Sequence, residues 1–139
     1  LVTSQNSIDH KIFEFAKSIA LSFSNLNVWF LPRGPSDYEY EKLPRNLNVL
    51  KEKNFYEACC DMDIHSTVYS TTARESFAMG MPNIFLDING LSTTYMKKSM
   101  PEGKNVRYIK SPEEYEKAIS ELDFSRKTYE NHLYKSNCM

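Results

Sequence analysis

Residues 65–87 read HSTVYSTTARESFAMGMPNIFLD, and they carry the strongest structural pattern in the 139-residue chain. Residues 65–69 and 83–87 are short runs with apolar and β-branched residues, which is typical of strands covered on both faces. Residues 72–79, between these runs, predict a helix. Two strands joined by a helix lie parallel in one sheet, so the segment predicts a βαβ unit.

The alternation of strands and helices extends toward the N-terminus. Short apolar runs predict strands at 1–3, 28–31 and 47–50. Ser7 is expected to cap a helix, and a second short helix is expected at 55–60, with a loop at 36–45 before it. The first helix has apolar residues on one face at helical spacing: Ile8, Ile12, Phe15, Ala16, Ile19 and Phe23.

The alternation also extends toward the C-terminus, with a helix expected at 92–98 and a strand at 106–109. Ser111-Pro112-Glu113-Glu114 is a capping box with proline at the first helical position, which predicts a helix start. A weaker amphipathic helix is expected at 125–134. Five or six strands separated by helices predict an α/β protein. We expect one domain over 1–139, with a Rossmann-like, doubly wound parallel sheet and helices on both faces.

Composition argues against several classes of function. The 17 basic and 18 acidic residues give a formal charge of −1, whereas a nucleic-acid-binding surface needs a basic excess. No run approaches the roughly 20 apolar residues of a transmembrane helix. Cys59, Cys60 and Cys138 lack the spacing of a zinc site, and we expect reduced thiols. Asp61, Asp63 and His65 straddle a helix end and a strand start, so we expect no metal site.

A turn with three consecutive hydroxyl residues, Ser70, Thr71 and Thr72, joins a predicted strand to a predicted helix. Backbone N–H groups and small hydroxyl side chains at such a turn can hold an anion such as phosphate. The alternative is a capping box between Thr72 and Glu75 that binds nothing. The residues of this turn by themselves leave both interpretations open.

The residues after this turn match a sequence pattern of a known class of enzymes. The pattern Glu75-x4-Gly80-x-Pro82, followed by the apolar run 83–87, resembles the C-terminal domain of GT-B glycosyltransferases and the related non-hydrolysing sugar-nucleotide 2-epimerases. The resemblance implies that Glu75 accepts hydrogen bonds from ribose hydroxyls and that the preceding turn, 70–72, holds pyrophosphate. Gly80 is expected to end the helix without a Cβ penalty, and Pro82 to prevent its continuation.

Two other segments extend the resemblance. Trp29-Phe30-Leu31-Pro32-Arg33 is similar to a segment of bacterial capsule and sialic-acid-type transferases in which a phosphate-binding histidine precedes the proline. This chain has Leu31 at that place. Arg33 is therefore a candidate phosphate contact, with a solvated strand-end arginine as the alternative. The loop that contains Ser92 and Thr93 contacts sugar or phosphates in the resembling families, and helix capping is the alternative for both residues.

The resemblance implies the donor half of a two-domain enzyme of bacterial surface polysaccharide synthesis. This half would bind the nucleoside diphosphate or monophosphate part of an activated hexose or sialic acid. The acceptor site and the catalytic base would belong to an N-terminal domain absent from this chain, so we name no catalytic residue and expect the isolated chain to be inactive. No cofactor is implied. We expect a cytoplasmic protein, either free or peripheral to the inner face of the membrane.

Two alternatives remain at this stage. One is half of a 2-epimerase, although epimerases have glycines and paired glutamates where this chain has Thr71, Thr72 and the pair Arg74-Glu75. The other is a non-catalytic domain kept only for assembly, which Leu31 favours because the phosphate-binding histidine is missing.

Overall fold

A computed structural model describes residues 1–33, 42–51 and 53–124 of the chain. Six strands form one sheet: β1 Val2–Thr3, β2 Val28–Leu31, β3 Leu47–Val49, β4 His65–Thr67, β5 Asn83–Leu86 and β6 Val106–Ile109. Every pairing in the sheet is parallel, and the strand order is β3-β2-β1-β4-β5-β6. Val2 of β1 aligns with Phe30 of β2 on one side and with Ser66 of β4 on the other. The predicted α/β class and parallel sheet are confirmed.

Among the described residues, an α-helix follows each of β1, β3, β4, β5 and β6. The α-helices are α1 Asp9–Ser22, α2 Phe55–Cys59, α3 Thr72–Ala78, α4 Leu91–Tyr95 and α5 Tyr115–Ser120. Three 3₁₀ turns precede α1, α4 and α5, at Asn6–Ile8, Ile88–Gly90 and Pro112–Glu114. The predicted elements within the described residues are present, with ends that differ by a few residues. The predicted helix at 125–134 lies outside the described residues, as does most of the predicted loop at 36–45.

The helices cover both faces of the sheet, as predicted. Alternate residues of a strand point to opposite faces. In β2, Phe30 joins the apolar cluster that contains α1 and α5, whereas Trp29 and Leu31 pack in the cluster that contains α2. In β5, Ile84 faces the α1 side, whereas Phe85 packs with Ala73 of α3. The fold is therefore a three-layer, Rossmann-like arrangement.

The strand order reverses direction between β1 and β4, at the centre of the sheet. The chain leaves β1 toward α1 on one face and leaves β4 toward α3 on the other face. The two connections diverge at this point, at the carboxyl ends of the strands, and open α/β sheets bind ligands in the crevice expected there. We call residues 4–7 and 68–71 the switch-point loops.

The start of α1 differs from its prediction. The helix begins at Asp9, its N-cap is Ile8, and no side chain caps it. The carbonyl of Gln5 instead accepts the Ile8 N–H at 3.2 Å, which forms the preceding 3₁₀ turn. The Ser7 hydroxyl bonds to the Tyr69 hydroxyl at 2.8 Å. The prediction that Ser7 caps α1 is wrong because a partner 62 residues away engages this side chain.

The start of the last described helix agrees with its prediction. Ser111 and Glu114 form the capping box, and the Glu114 carboxylate accepts the backbone N–H groups of Ser111 at 2.9 Å and Lys110 at 2.7 Å. These bonds favour the charged carboxylate and lower the pKa of Glu114. Tyr115 and Ala118 are buried on the predicted apolar stripe.

The end of α3 also follows its prediction. Gly80 has a φ of +85°, in the left-handed region. The N–H of Met81 bonds to the carbonyl of Ser76 at 3.0 Å, and the N–H of Gly80 bonds to the carbonyl of Phe77 at 3.0 Å. This pair of bonds is the Schellman motif, in which glycine avoids a steric clash.

Two of the three cysteines, Cys59 and Cys60, lie within the described residues. Cys59 is a buried free thiol, and burial raises its pKa to about 12. Cys138 lies outside the described residues, and a reduced thiol at Cys60 stays a prediction. None of the helices in the described part of the chain has the length and apolarity needed to cross a bilayer.

Replacing Gly80 with alanine tests the role of the Schellman motif. A left-handed conformation costs a residue with a Cβ about 1–2 kcal/mol, so Gly80→Ala is expected to lower the free energy of unfolding by that amount. Gly103→Ala is the matched control, because a Cβ there meets no atom within 4 Å and the φ is not in the left-handed region. Urea denaturation of both variants measures the difference. Equal stability of the two would contradict the assignment.

Candidate functional site

The switch-point loops are cross-linked by polar side chains. Gln5 is buried, and its Oε1 accepts the backbone N–H of Tyr69 at 2.6 Å. The Ser7 hydroxyl joins the Tyr69 hydroxyl at 2.8 Å. The loop after β1 and the loop after β4 are thus held together by two hydrogen bonds, so this edge of the sheet is preformed.

Ser4 is the first residue of the loop after β1, and its hydroxyl is unusual. The residue is 4% exposed and its N–H bonds to the Leu31 carbonyl at 3.1 Å. Among the described residues, its Oγ has no hydrogen-bond partner. A buried polar group without a partner costs about 1–3 kcal/mol, so such groups call for a specific explanation. A ligand atom at the crevice would satisfy this hydroxyl.

A chain of hydroxyl groups runs from the sheet into the loop after β4. Thr3 Oγ1 lies 3.3 Å from Thr72 Oγ1, which donates to Ser70 Oγ at 2.9 Å. The backbone N–H of Thr72 also donates to Ser70 Oγ, at 3.3 Å. Ser70 Oγ therefore accepts two hydrogen bonds, and its own proton has no recorded acceptor among the described residues. Ser70 is 5% exposed and offers a donor at the crevice.

Below these hydroxyl groups, His65 and Asn83 fix the direction of the hydrogen bond between Thr3 and His65. The Asn83 Nδ2 donates to the carbonyls of Ala73 and Met81, both at 3.3 Å, so its Oδ1 faces His65 Nδ1 at 2.7 Å. An amide oxygen only accepts, which assigns the proton to Nδ1 of His65. Nε2 must then accept from Thr3 Oγ1, at 2.8 Å.

The ring of His65 is completely buried. Burial disfavours the charged form and lowers the pKa of His65 to about 3. Ser76 of α3 closes the network, with its hydroxyl 3.0 Å from His65 Nδ1 and 3.1 Å from Asn83 Oδ1. His65 is thus a neutral, structural side chain that joins β1, β4, β5 and α3.

The structure brings the predicted turn residues together. Ser70 is buried, Thr72 is half-buried and Thr71 is exposed, all at the carboxyl edge of β4. The alternative capping box between Thr72 and Glu75 does not form, because the N-cap of α3 is Thr71 and no side chain caps it. The Thr72 hydroxyl is directed to Ser70 and Thr3 instead.

Glu75 lies one turn further along α3 and is exposed. Its carboxylate lies beside the exposed Tyr56 hydroxyl of α2 and raises the pKa of Tyr56. The two residues form a pair between α2 and α3, on the α3 side of the sheet. Sequence reasoning missed Tyr56, because nothing in its short helix indicates which helix lies beside it.

Arg33 is exposed in the segment after β2, the strand next to β1. Its assignment as a phosphate contact stays a prediction. Leu31, which stands where the resembling transferases have histidine, is partly buried and packs in the apolar cluster around Ala58 and Cys59 of α2. This position therefore supports the fold rather than offering a polar contact.

The other two predicted residues lie at the carboxyl edge of β5. Ser92 is fully buried, and its hydroxyl lies within hydrogen-bonding distance of the carbonyls of Val68, at 2.6 Å, and Leu86, at 3.0 Å. Thr93 is exposed, with its N–H and hydroxyl bonded to the Asp87 carboxylate at 3.0 and 2.6 Å. These contacts anchor α4 to the sheet. A ligand contact stays a prediction for both residues, and the bonds of Ser92 give it no support.

A cavity of about 290 Å³ lies at the opposite, amino edge of the sheet. Asp61 and Asp63 line it together with Trp29 and Tyr115. It contains none of the predicted site residues. In open α/β sheets ligands bind at the carboxyl ends of the strands, so the crevice between the switch-point loops is the better candidate. Among the described residues, no group of three or more His, Cys, Asp or Glu side chains could hold a metal ion.

Comparison of the chain with protein-family models, with curated proteins and with solved structures finds no match. The site is therefore defined by its own geometry. Sequence reasoning missed Thr3, Gln5 and Asn83. Their one signal was a polar residue within or directly after a strand buried on both faces, where every polar group needs a partner.

The buried neutral His65 predicts a pH dependence of stability. Its folded pKa of about 3 lies below its ordinary value of 6.5, so the unfolded state binds more protons between these values. Stability is therefore lost as the pH falls from about 6.5 toward 3, and this one group accounts for a loss of about 2 kcal/mol at pH 5. Urea unfolding at pH 7 and pH 5 measures the loss. Nitrogen shifts of the His65 ring are expected to stay those of the neutral Nδ1–H form, and titration between pH 7 and 5 would contradict the burial argument.

Proposed function

We propose that this chain binds the nucleotide part of an activated sugar at the crevice between the switch-point loops. The observation that carries the proposal is the pair of buried serines, Ser4 and Ser70, that follow β1 and β4 on the two sides of the reversal in strand order. The Ser4 hydroxyl has no partner among the described residues, and the Ser70 proton has no recorded acceptor there.

Hydroxyl donors at this crevice suit the oxygens of a phosphate. Phosphate oxygens only accept hydrogen bonds at neutral pH, and the direction of the hydroxyl chain leaves Ser70 with a proton to donate. Thr71 is exposed beside it and adds a second hydroxyl. We assign Ser70, Thr71 and Thr72 to the phosphates, with Arg33 as a candidate charge from the neighbouring strand end.

Glu75 is assigned to the ribose. Its carboxylate lies beside the exposed Tyr56 hydroxyl. A carboxylate has about four acceptor positions, so it can accept the ribose hydroxyls as well. The resemblance of the segment 75–82 to GT-B transferases supports this role. As a GT-B transferase, the full-length enzyme would transfer the sugar with a catalytic base and an acceptor site supplied by another domain.

A second candidate function is an assembly domain that binds no nucleotide. Two observations favour it. Leu31 packs into the apolar cluster against α2 where the resembling transferases have a phosphate-binding histidine. Gln5 also occupies the crevice and bonds directly to Tyr69, which joins the switch-point loops without any ligand.

Nucleotide titration distinguishes the two functions. UDP, GDP, CDP, CMP and ADP are added to the chain, and amide chemical shifts and melting temperature are measured. A ligand at a hundred times its dissociation constant stabilises a protein by about 2.7 kcal/mol. Shift changes are expected at residues 4–7 and 68–75. Changes confined to the amino edge of the sheet, near Asn46 or Asn105, would refute this site, and no binding of any nucleotide would favour the assembly function.

Glu75→Gln tests the ribose contact. The variant keeps its shape but loses the charge, and hydrogen bonds to charged groups contribute about 1.5–3 kcal/mol. Nucleotide affinity is expected to fall by about tenfold or more. Glu116→Gln on the exposed side of α5, on the opposite face of the sheet, is the matched control. Unchanged affinity in a folded Glu75→Gln protein would remove Glu75 from the site.

Transfer activity supplies a further prediction. Sugar transfer requires donor, acceptor and base to be held within about 3–3.5 Å of one another, which one side of a two-sided cleft does not provide. We therefore expect the 139-residue chain to bind nucleotide weakly and to show no turnover. Release of free nucleotide from sugar nucleotides, with and without acceptor glycans, measures this. Acceptor-dependent turnover would place the catalytic groups in this chain.

A further inference from the structure

Two tyrosines form a tilted aromatic pair at the switch-point loops. The rings of Tyr69 and Tyr95 have centroids 5.2 Å apart and planes inclined by 44°. Tyr69 is fixed at both ends, because its backbone N–H donates to Gln5 Oε1 and its hydroxyl bonds to Ser7. The pair therefore has one ring that is locked in place by the loop after β1.

The second ring is exposed but also anchored. Tyr95 is the last residue of α4 and is 61% exposed, although it is a large aromatic side chain. The start of α4 is tied to the sheet by Asp87, which accepts the N–H and hydroxyl of Thr93. An exposed aromatic ring on a tethered helix and against a fixed neighbour loses little conformational freedom when a ligand stacks on it.

The position of the pair relates it to the crevice. Tyr69 directly precedes Ser70, and both belong to the loop after β4. Tyr95 lies on the β5 side of this loop. We propose that the exposed ring of Tyr95, supported from behind by Tyr69, is the stacking surface for the nucleobase of the bound nucleotide. This inference rests on the proposed function and adds the ring-binding part of the same site.

The chemistry of the pair fits a flat ring better than a charged group. Every nucleobase has a flat π-face, and stacking on an aromatic side chain tolerates any base. The hydroxyl of Tyr69 is engaged by Ser7, so this ring contributes its surface rather than a hydrogen bond to the ligand. The pair therefore holds a base without selecting strongly among bases.

Comparison of a nucleotide with a phosphate ligand that lacks a base tests the inference. UDP, CDP, GDP, ADP and inorganic pyrophosphate are titrated into the wild type, Tyr95→Ala and Tyr95→Phe. Removal of a stacking aromatic is expected to weaken nucleotide binding by about five- to 150-fold. Pyrophosphate affinity is expected to stay within about twofold, because stacking acts on the base alone. Tyr95→Phe keeps the ring and is expected to bind like the wild type.

Leu21→Ala is the matched control, since Leu21 is 67% exposed near the end of α1 and far along the helix from the switch-point loops. It removes exposed apolar surface without touching the pair. In the wild type, the ring current of the bound base is expected to shift the proton resonances of the Tyr95 ring. The inference is overturned if Tyr95→Ala binds nucleotides as the wild type does, or if it loses nucleotide and pyrophosphate affinity equally. In both cases the proposed function stands; if the wild type binds no nucleotide, both are overturned.

Discussion

The buried imidazole of His65 is the constraint on which the centre of this structure depends. A neutral imidazole has one donor and one acceptor, and both must be satisfied when no water reaches the ring. Asn83 of β5 accepts from Nδ1, and Thr3 of β1 donates to Nε2. Ser76 brings α3 into the same network. Three parallel strands and one helix are thus joined by polar groups of fixed direction, which apolar packing alone would not specify.

Hydroxyl groups continue from this network to the switch point, where Thr3 Oγ1 lies 3.3 Å from Thr72 Oγ1. Thr72 donates to Ser70 at 2.9 Å, so the Ser70 proton is left for the crevice. The network is preformed, so a ligand that accepts hydrogen bonds would meet ordered donors and would not have to order them on binding.

Strand order decides where this chemistry lies. The residues after β1 and after β4 are more than 60 positions apart in the chain, yet the order β3-β2-β1-β4-β5-β6 makes these strands neighbours. The loops then diverge to opposite faces, and Gln5 spans the gap to Tyr69. An aromatic pair, Tyr69 and Tyr95, borders the crevice on the side of β5. Hydroxyl donors and an exposed aromatic ring are thus brought together at the loop after β4.

The sequence by itself determined the features that depend on neighbouring residues. The alternation of apolar runs and helical patterns is local, and it was sufficient to predict the α/β class and a parallel sheet of five or six strands, of which the structure has six. Gly80 ends α3 and Ser111 begins the last described helical segment, as expected. At both positions the hydrogen bonds join residues that lie close together in the sequence. The tertiary structure decided the partners of Ser7, His65 and Glu75. Each of these side chains reaches another element, and a polar side chain can satisfy its hydrogen bonds locally or at long range with similar energy, so only the assembled sheet selects between them.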